Sequence, residues 1–312
     1  MIADSAVQTI QPADIEAIMG EPISARLKER LKTFDLRFTE ITPQERDQYI
    51  LEAVRALVNP ELKVAGEHRI DDWERGWGEN FDIFCKTGNP DAAVPLYFGK
   101  HPIVRWRRRW VRPVSESFDY RIICLLVEYA MERYMKDAAG IYEFGCGPGY
   151  HLLRARKINP SARLVGLDWT TASQKILNGM AQIGIDPNLE GRSFDFYHPD
   201  ETLDFLPNSV AYSVAALEQV GPRHEAFIQF MLQKKPELVV HFEPIDEALE
   251  KDDLHDQLSV LYSNKRNYLK GYLPRLEELE RQGKLTIHRK QRVHSGSFFI
   301  EGHSLIVWSP NR

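Results

Sequence analysis

Three glycines at alternate positions, set between two apolar runs, constrain this chain more than any other feature. Residues 141–150 read IYEFGCGPGY, and residues 164–168 read LVGLD. An apolar run enters Gly145, Gly147 and Gly149, a helix-like segment follows, and a second apolar run ends in Asp168. Strand, tight turn, helix and a second strand bearing an acid is the layout of a nucleotide-binding βαβ unit. Without Cβ atoms the turn can take positive φ angles and let a ligand approach the backbone closely. Asp168 stands where a carboxylate can accept bonds from both hydroxyls of a ribose. An adenosine-bearing ligand stretched between turn and acid is the expectation.

The spacing narrows the ligand. Gly-x-Gly-x-Gly with Pro148 inside it is not the Gly-x-Gly-x-x-Gly of a pyrophosphate turn, whose third glycine comes one position later. Glu143, just before the turn, would repel a pyrophosphate and suits a cationic ligand. On these residues the chain resembles the class I S-adenosylmethionine-dependent methyltransferases. The resemblance covers residues 138–312. It implies that Glu143, Gly145, Cys146, Gly147 and Gly149 line the methionine and ribose side of S-adenosylmethionine. Asp168 would then hold the ribose hydroxyls and Trp169 would flank the adenine. Asp195, in GRSFDF at 191–196, resembles the acid that meets the adenine amine after strand three. Blander roles fit the same residues. Asp168 could cap a helix together with Thr170, Thr171 and Ser173, Asp195 could be a loop acid, and the glycines could serve turn geometry alone. Cys146 suits the turn by its small size. No histidine at a fixed short spacing would activate it as a nucleophile.

A chain of 312 residues, 43% hydrophobic and 27% charged, can bury a substantial core. A net charge of −5 gives no general reason to expect nucleic acid as a partner. Cys85, Cys124 and Cys146 show no CxxC spacing, so neither a disulfide framework nor a metal site is expected. The start MIADSAVQ lacks the pattern of a secretory signal, and no apolar run is long enough for a membrane span. A cytoplasmic location is the expectation.

The alternation of runs after residue 137 predicts a Rossmann-like α/β domain at 138–312. Strands are expected at 142–144, 163–167, 193–197, 210–216 and 238–242, with helices at 151–158, 172–183 and 225–234. Helices at 253–262 and 265–282 follow. Runs at 285–293 and 297–308 read as a closing hairpin on a short turn, so a doubly wound seven-stranded sheet with an antiparallel last strand is predicted. Residues 1–137 read as a mainly helical, irregular region on the acceptor side. Helices are expected at 14–32 and 43–58, the second opened by the capping signal at Thr42. Trp73, Trp77 and Phe81 are spaced as one stripe of a helix, or as a wall over an acceptor. The run RWRRRWVR at 105–112 reads either as a clamp for a phosphorylated or nucleotide-linked acceptor, or as a segment whose charges pair with acids of the chain.

A hydroxyl acceptor needs a base near the carboxyl ends of the strands. Glu243, His241 and Glu218 qualify by position; His198, His224, Asp246, Asp253 and His255 stand nearby. A histidine inside an apolar strand is also a common packed core residue. The Trp- and Arg-rich first third and the ending EGHSLIVWSP look similar to bacterial methyltransferases of sugar and polysaccharide pathways. O-methylation of a sugar or sugar-containing metabolite is therefore expected. Alternatives are an NAD-dependent oxidoreductase, an aminopropyl transferase of the same fold, or a non-catalytic partner subunit that keeps only the scaffold. Oligomeric state is not legible.

Overall fold

The strand that enters the glycine turn lies inside a seven-stranded sheet, flanked on both edges by parallel neighbours. The computed structural model describes residues 6–312. In chain order the first part contributes β1 (Gln8–Thr9), α1 (Pro12–Met19), α2 (Ala25–Lys32), β2 (Arg37–Glu40), α3 (Pro43–Val58) and α4 (Ile70–Thr87). Next come β3 (Val104–Trp106), β4 (Arg109–Pro113) and α5 (Phe118–Tyr134). The second part runs β5 (Gly140–Phe144), α6 (Tyr150–Ile158), β6 (Arg163–Asp168), α7 (Thr171–Gln182), β7 (Leu189–Ser193), β8 (Ser209–Val214), α8 (Glu225–Lys234) and β9 (Leu238–Glu243). It closes with α9 (Leu254–Arg266), α10 (Tyr272–Arg281), β10 (Leu285–Arg292), β11 (Ser295–Gly296) and β12 (Ser304–Pro310).

The large sheet has the order β10-β12-β9-β8-β5-β6-β7, with β12 antiparallel to both its neighbours. The chain winds outward from β5 through β6 to β7, then crosses back to β8 on the other side of β5. That reversal opens a crevice beyond the carboxyl ends of β5 and β8, where open α/β sheets bind ligands. Every residue of β5 is buried, as a central strand covered on both faces requires. A second sheet, β1-β2-β4-β3-β11, joins the first part of the chain to a two-residue strand from the C-terminal part.

Several elements depart from expectation for local reasons. The helix expected at 14–32 is two, because Gly20 takes a left-handed φ of 72° and Pro22 cannot continue the ladder. α3 starts where its capping signal lies: Thr42 Oγ1 accepts from Glu45 N at 3.2 Å, and Glu45 Oε2 accepts from Thr42 N at 2.8 Å. Strand three is 189–193 rather than 193–197. Gly191 lets β7 lie against α7, where a Cβ would come within 2.9 Å of the Gln174 carbonyl, while Phe194 and Phe196 turn into an aromatic cluster around Phe144. Residues 265–266 finish α9, and the next helix begins only at Tyr272. The last strand starts at Ser304 instead of 297, and the turn before it is an excursion that pairs Ser295 and Gly296 with β3. Phe298 stays out of the ladder because its carbonyl accepts from Trp110 Nε1 at 3.0 Å and Arg105 Nε at 3.4 Å.

The basic run is the β3–β4 hairpin, and its guanidinium groups are taken by the chain itself. Arg107 pairs with Asp14 at 2.7 Å, Arg108 with Glu250 at 2.7 Å, Arg109 with Glu40 at 2.8 Å and Arg112 with Glu45 at 2.6 Å. Arg105 is buried against the carbonyls of His255, Phe298 and Phe299. The pairing reading of this run holds; it offers no open clamp.

Gly166, inside β6, is a packing requirement. A Cβ there would lie 2.2 Å from Leu177 Cδ1 and 2.9 Å from Cys146 Sγ. Gly166→Ala should destabilise the protein by roughly 1–3 kcal/mol through overpacking; denaturant unfolding with an unchanged midpoint would contradict this contact.

Candidate functional site

The glycine turn is built as its spacing suggests. Gly145, Gly147 and Gly149 have φ of 67°, 49° and 84°, all in the left-handed region. Gly145 N and Cys146 N both donate to the Leu167 carbonyl, at 2.6 and 3.1 Å, which folds the turn back over the end of β6. Asp168, 5% exposed, fastens it there: its Oδ2 accepts from Gly147 N at 2.9 Å. Its Oδ1 accepts from Thr170 N at 2.9 Å and Thr170 Oγ1 at 2.7 Å. Three donors leave one of a carboxylate's four lone-pair directions open, on Oδ2. The Thr170 hydroxyl lies 2.6 Å from Ser173 Oγ and can turn to it, which would release a second direction. Asp168 thus has a cap-like role and residual accepting capacity together.

A first cavity is lined by Glu143, Gly145, Cys146, Gly147, Asp168, Trp169 and Asp195, so the sequence-read cofactor residues meet around one space. Gly149 is not in that lining; it caps α6, and a Cβ on it would meet Leu177 Cδ2 at 2.2 Å. Asp195 sits in the loop after β7, its Oδ1 accepting from Tyr197 N at 2.8 Å and its Oδ2 3.0 Å from His198 Nδ1. Cys146 is buried and its thiol is pushed up by burial, which keeps it protonated and unreactive. Glu143 is buried too, with Tyr212 Oη donating to its Oε2 at 2.8 Å. Burial, with the charge of Asp168 added, pushes the Glu143 carboxyl up to about 8. A cation beside it would stabilise the ionised form.

The wall of this cavity comes from outside the βαβ unit. Trp73 and Trp77 stack on α4 with centroids 5.5 Å apart, and both line the cavity. Glu74, between them, accepts from Thr171 N at 2.7 Å and Ala172 N at 2.9 Å. A carboxylate on the first turn of α7 satisfies open N–H groups and complements the helix dipole. Glu74 therefore pins the Trp wall to the first turn of α7.

A second cavity of about 460 Å³ shares Trp73, Tyr97, Tyr150, Val214, Ala215 and Gln219 with the first. Of the three base candidates, Glu218 alone lines it. Burial, with the neighbouring Glu243 charge, pushes Glu218 up to about 8. Glu243 is fully buried, and its oxygens accept from Ser213 Oγ, Ala216 N, Leu217 N and Glu218 N at 2.6–3.1 Å. It positions the turn that carries Glu218 and lines neither cavity. His241 is a satisfied core residue, 2.9 Å from Ser213 Oγ and 2.7 Å from Tyr272 Oη. His224 meets the Lys270 carbonyl at 2.9 Å, and His255 stacks edgewise on Trp110. Asp246 and Asp253 lie outside both linings.

Trp73, Gln219 and His151, which line the first cavity, carry buried polar atoms without a protein partner: Trp73 Nε1, Gln219 Oε1 and both ring nitrogens of His151. Among the described residues no group of three or more His, Cys, Asp or Glu is placed to hold a metal ion, and no helix is long and apolar enough to cross a membrane.

No family model matches the sequence, and no curated protein matches it either. Among solved structures, the chain is similar to a magnesium protoporphyrin IX methyltransferase from Synechocystis PCC 6803 with bound SAH (12% identity, TM-score 0.45, 62% of this chain and 86% of that one). It is also similar to a geranyl diphosphate methyltransferase in complex with GPP and sinefungin (11% identity, TM-score 0.46, 77% and 98%). A third is a SAM dependent methyltransferase from Aquifex aeolicus (12% identity, TM-score 0.41, 59% and 89%). The likeness is one of arrangement only.

The raised carboxyls make stability depend on pH with a defined sign. Glu143 and Glu218 go from 4.5 to about 8, and Glu243 to about 7, so the folded state holds protons that the unfolded chain releases. Their contribution is complete below pH 4.5 and is lost as pH rises through 7–8. The free energy of unfolding of the ligand-free protein should fall from pH 4.5 up to about 8, and Glu143→Gln should make that slope shallower. An equally steep slope in the variant would place the titration elsewhere.

Proposed function

We propose that this chain transfers a methyl group from S-adenosylmethionine to a hydroxyl of a small acceptor, a sugar or sugar-containing metabolite. The observation that carries the reading is the junction of two cavities. One gathers Glu143, the glycine turn and Asp168; the other holds Glu218; six residues are common to both. The donor groups suit the cofactor: a buried acid for a cationic amino group or sulfonium, an aspartate with accepting capacity for ribose, and Trp169 and Asp195 for the adenine. When bound, this cofactor supplies an activated methyl on a sulfonium, so the protein's part is alignment and exclusion of water.

In this reading the Trp73–Trp77 wall closes the cofactor side from solvent. Trp73, Tyr97 and Tyr150 belong to both cavities and border the path between them. Ala215, with a strained φ of 48° at the end of β8, brings backbone to that junction. Glu218 accepts the hydroxyl proton at its carboxylate, held in place by Glu243 through the backbone of 216–218. The part-buried ring of Phe98 offers an apolar face for a sugar ring, while Phe298 is packed between Trp110 and His101. Glu143, ionising as a cation arrives, releases a proton on binding.

Calorimetry comparing S-adenosylmethionine, SAH and NAD tests the cofactor. Asp168→Ala should weaken SAH binding by about 1–3 kcal/mol; binding of NAD alone would overturn the reading. Labelled cofactor with sugars, phenols and amines tests the acceptor, and labelling of phenols or amines but no sugar would remove the sugar. Glu218→Gln should lower kcat by roughly 10²–10⁴ with the cofactor Kd unchanged. The wild-type kcat/KM should rise with pH towards a plateau above 8, where Glu218 is ionised. A flat profile, or a fully active variant, would exclude Glu218 as the base.

A further inference from the structure

The second cavity carries more cationic than acidic side chains, and two of its guanidinium groups lack full partners. Arg69, Lys100, Arg105 and Arg266 line it, against Asp119 and Glu218. Burial raises both acids, and Glu218, pushed up to about 8, contributes little negative charge at neutral pH. Arg105 is used up on backbone carbonyls.

Arg69 and Arg266 differ from the hairpin arginines, whose acids neutralise them. Arg266 donates to Tyr262 Oη at 3.1 Å and lies over the rings of Tyr262 and Tyr268, yet no carboxylate of the described residues pairs with it. Its Nε is buried without a partner. Arg69 donates from Nε to Asp72 at 2.7 Å, but Asp72 also meets Lys63 at 3.0 Å and Arg75, so three cations share one acid. Arg69 Nη1 is likewise buried and unpartnered. Both arginines line the one cavity, and the segments that carry them are tied together: Ala65 N donates to the Arg266 carbonyl at 2.7 Å, and Asn267 Nδ2 to the Ala65 carbonyl at 3.3 Å. With one acid shared three ways at Arg69 and no carboxylate within ion-pair distance of Arg266, an arriving anion would add charge-assisted hydrogen bonds that the chain does not itself supply.

From this placement we propose that the acceptor carries an anionic group, carboxylate or phosphate, held by Arg69 and Arg266 while its hydroxyl faces Glu218. The proposal rests on the reading of the second cavity as the acceptor site. It replaces the β3–β4 hairpin as the place where an acidic acceptor is gripped.

Three probes that differ in one substituent test it: D-glucose, D-glucuronate and D-glucose 6-phosphate, titrated calorimetrically into the full-length protein with and without saturating SAH. At least one of the two anions should bind about tenfold or more tightly than glucose, and which one does so tells carboxylate from phosphate. Arg266→Gln and Arg69→Gln should each cut that preference several-fold without changing the SAH Kd, and Arg266→Lys should retain part of it. Thermal unfolding at the wild-type temperature certifies that the variants fold. Equal affinity for the three probes, no binding of either anion, or a preference that survives in both Gln variants would overturn the proposal. Failure of SAH to bind, with the anion preference intact, would instead remove the methyl-transfer reading and leave the anion site standing.

Discussion

Asp168 binds the glycine turn before it can bind anything else. Its carboxylate accepts from Gly147 N at 2.9 Å and from Thr170 on the other oxygen, so the end of one strand, the turn after its neighbour and the start of α7 share a single buried charge. A charge-assisted hydrogen bond of this kind contributes about 1.5–3 kcal/mol. Here it also sets geometry: it holds three left-handed glycines in register with the acid that would read a ribose. Glu143 enters the same space from β5, and the cavity exists because these strands are adjacent and parallel.

Around that centre the chain adds walls from distant segments. Glu74 reaches the first turn of α7 from α4 and carries Trp73 and Trp77 with it. The short strand β11 leaves the C-terminal hairpin to pair with β3, and the loop behind it brings Phe298, Ile300 and His303 to the second cavity. The second cavity is thus enclosed by segments far apart in sequence, residues 69–123 on one side and 295–303 on another. Glu243 does comparable work at the far end of β9, where four donors on one carboxylate fix the turn bearing Glu218.

The sheet was legible because β5, β6 and β9 are largely apolar runs ending at a glycine or an acid, a pattern set by local chemistry. β7 was misplaced because an edge strand reading LEGRS has little hydrophobic signal, and its glycine serves close packing against α7. The split between α1 and α2 was written in Gly20 and Pro22 but lay within an otherwise periodic run. That Glu143, the glycine turn, Asp168 and Trp169 would line one space could be read because they fall in or directly after one βαβ unit; Asp195 joins them from the loop after β7. The roles of Glu74 and Tyr212 could not, because their partners Thr171 and Glu143 are 97 and 69 residues away. His241 and Glu243 illustrate the same limit: position at a strand end marks candidates, while burial and hydrogen bonding separate a packed histidine and a positioning carboxylate from the group that faces the cavity.

If the glycine turn and Asp168 together hold adenosine attached to a cationic sulfur, a crystal of the protein soaked with S-adenosylmethionine should show ribose hydroxyls on Asp168, adenine between Trp169 and Asp195, and the methyl group aimed past Tyr97 and Tyr150 into the second cavity. An empty crevice under saturating ligand, or the cofactor bound away from residues 145–149, would contradict it.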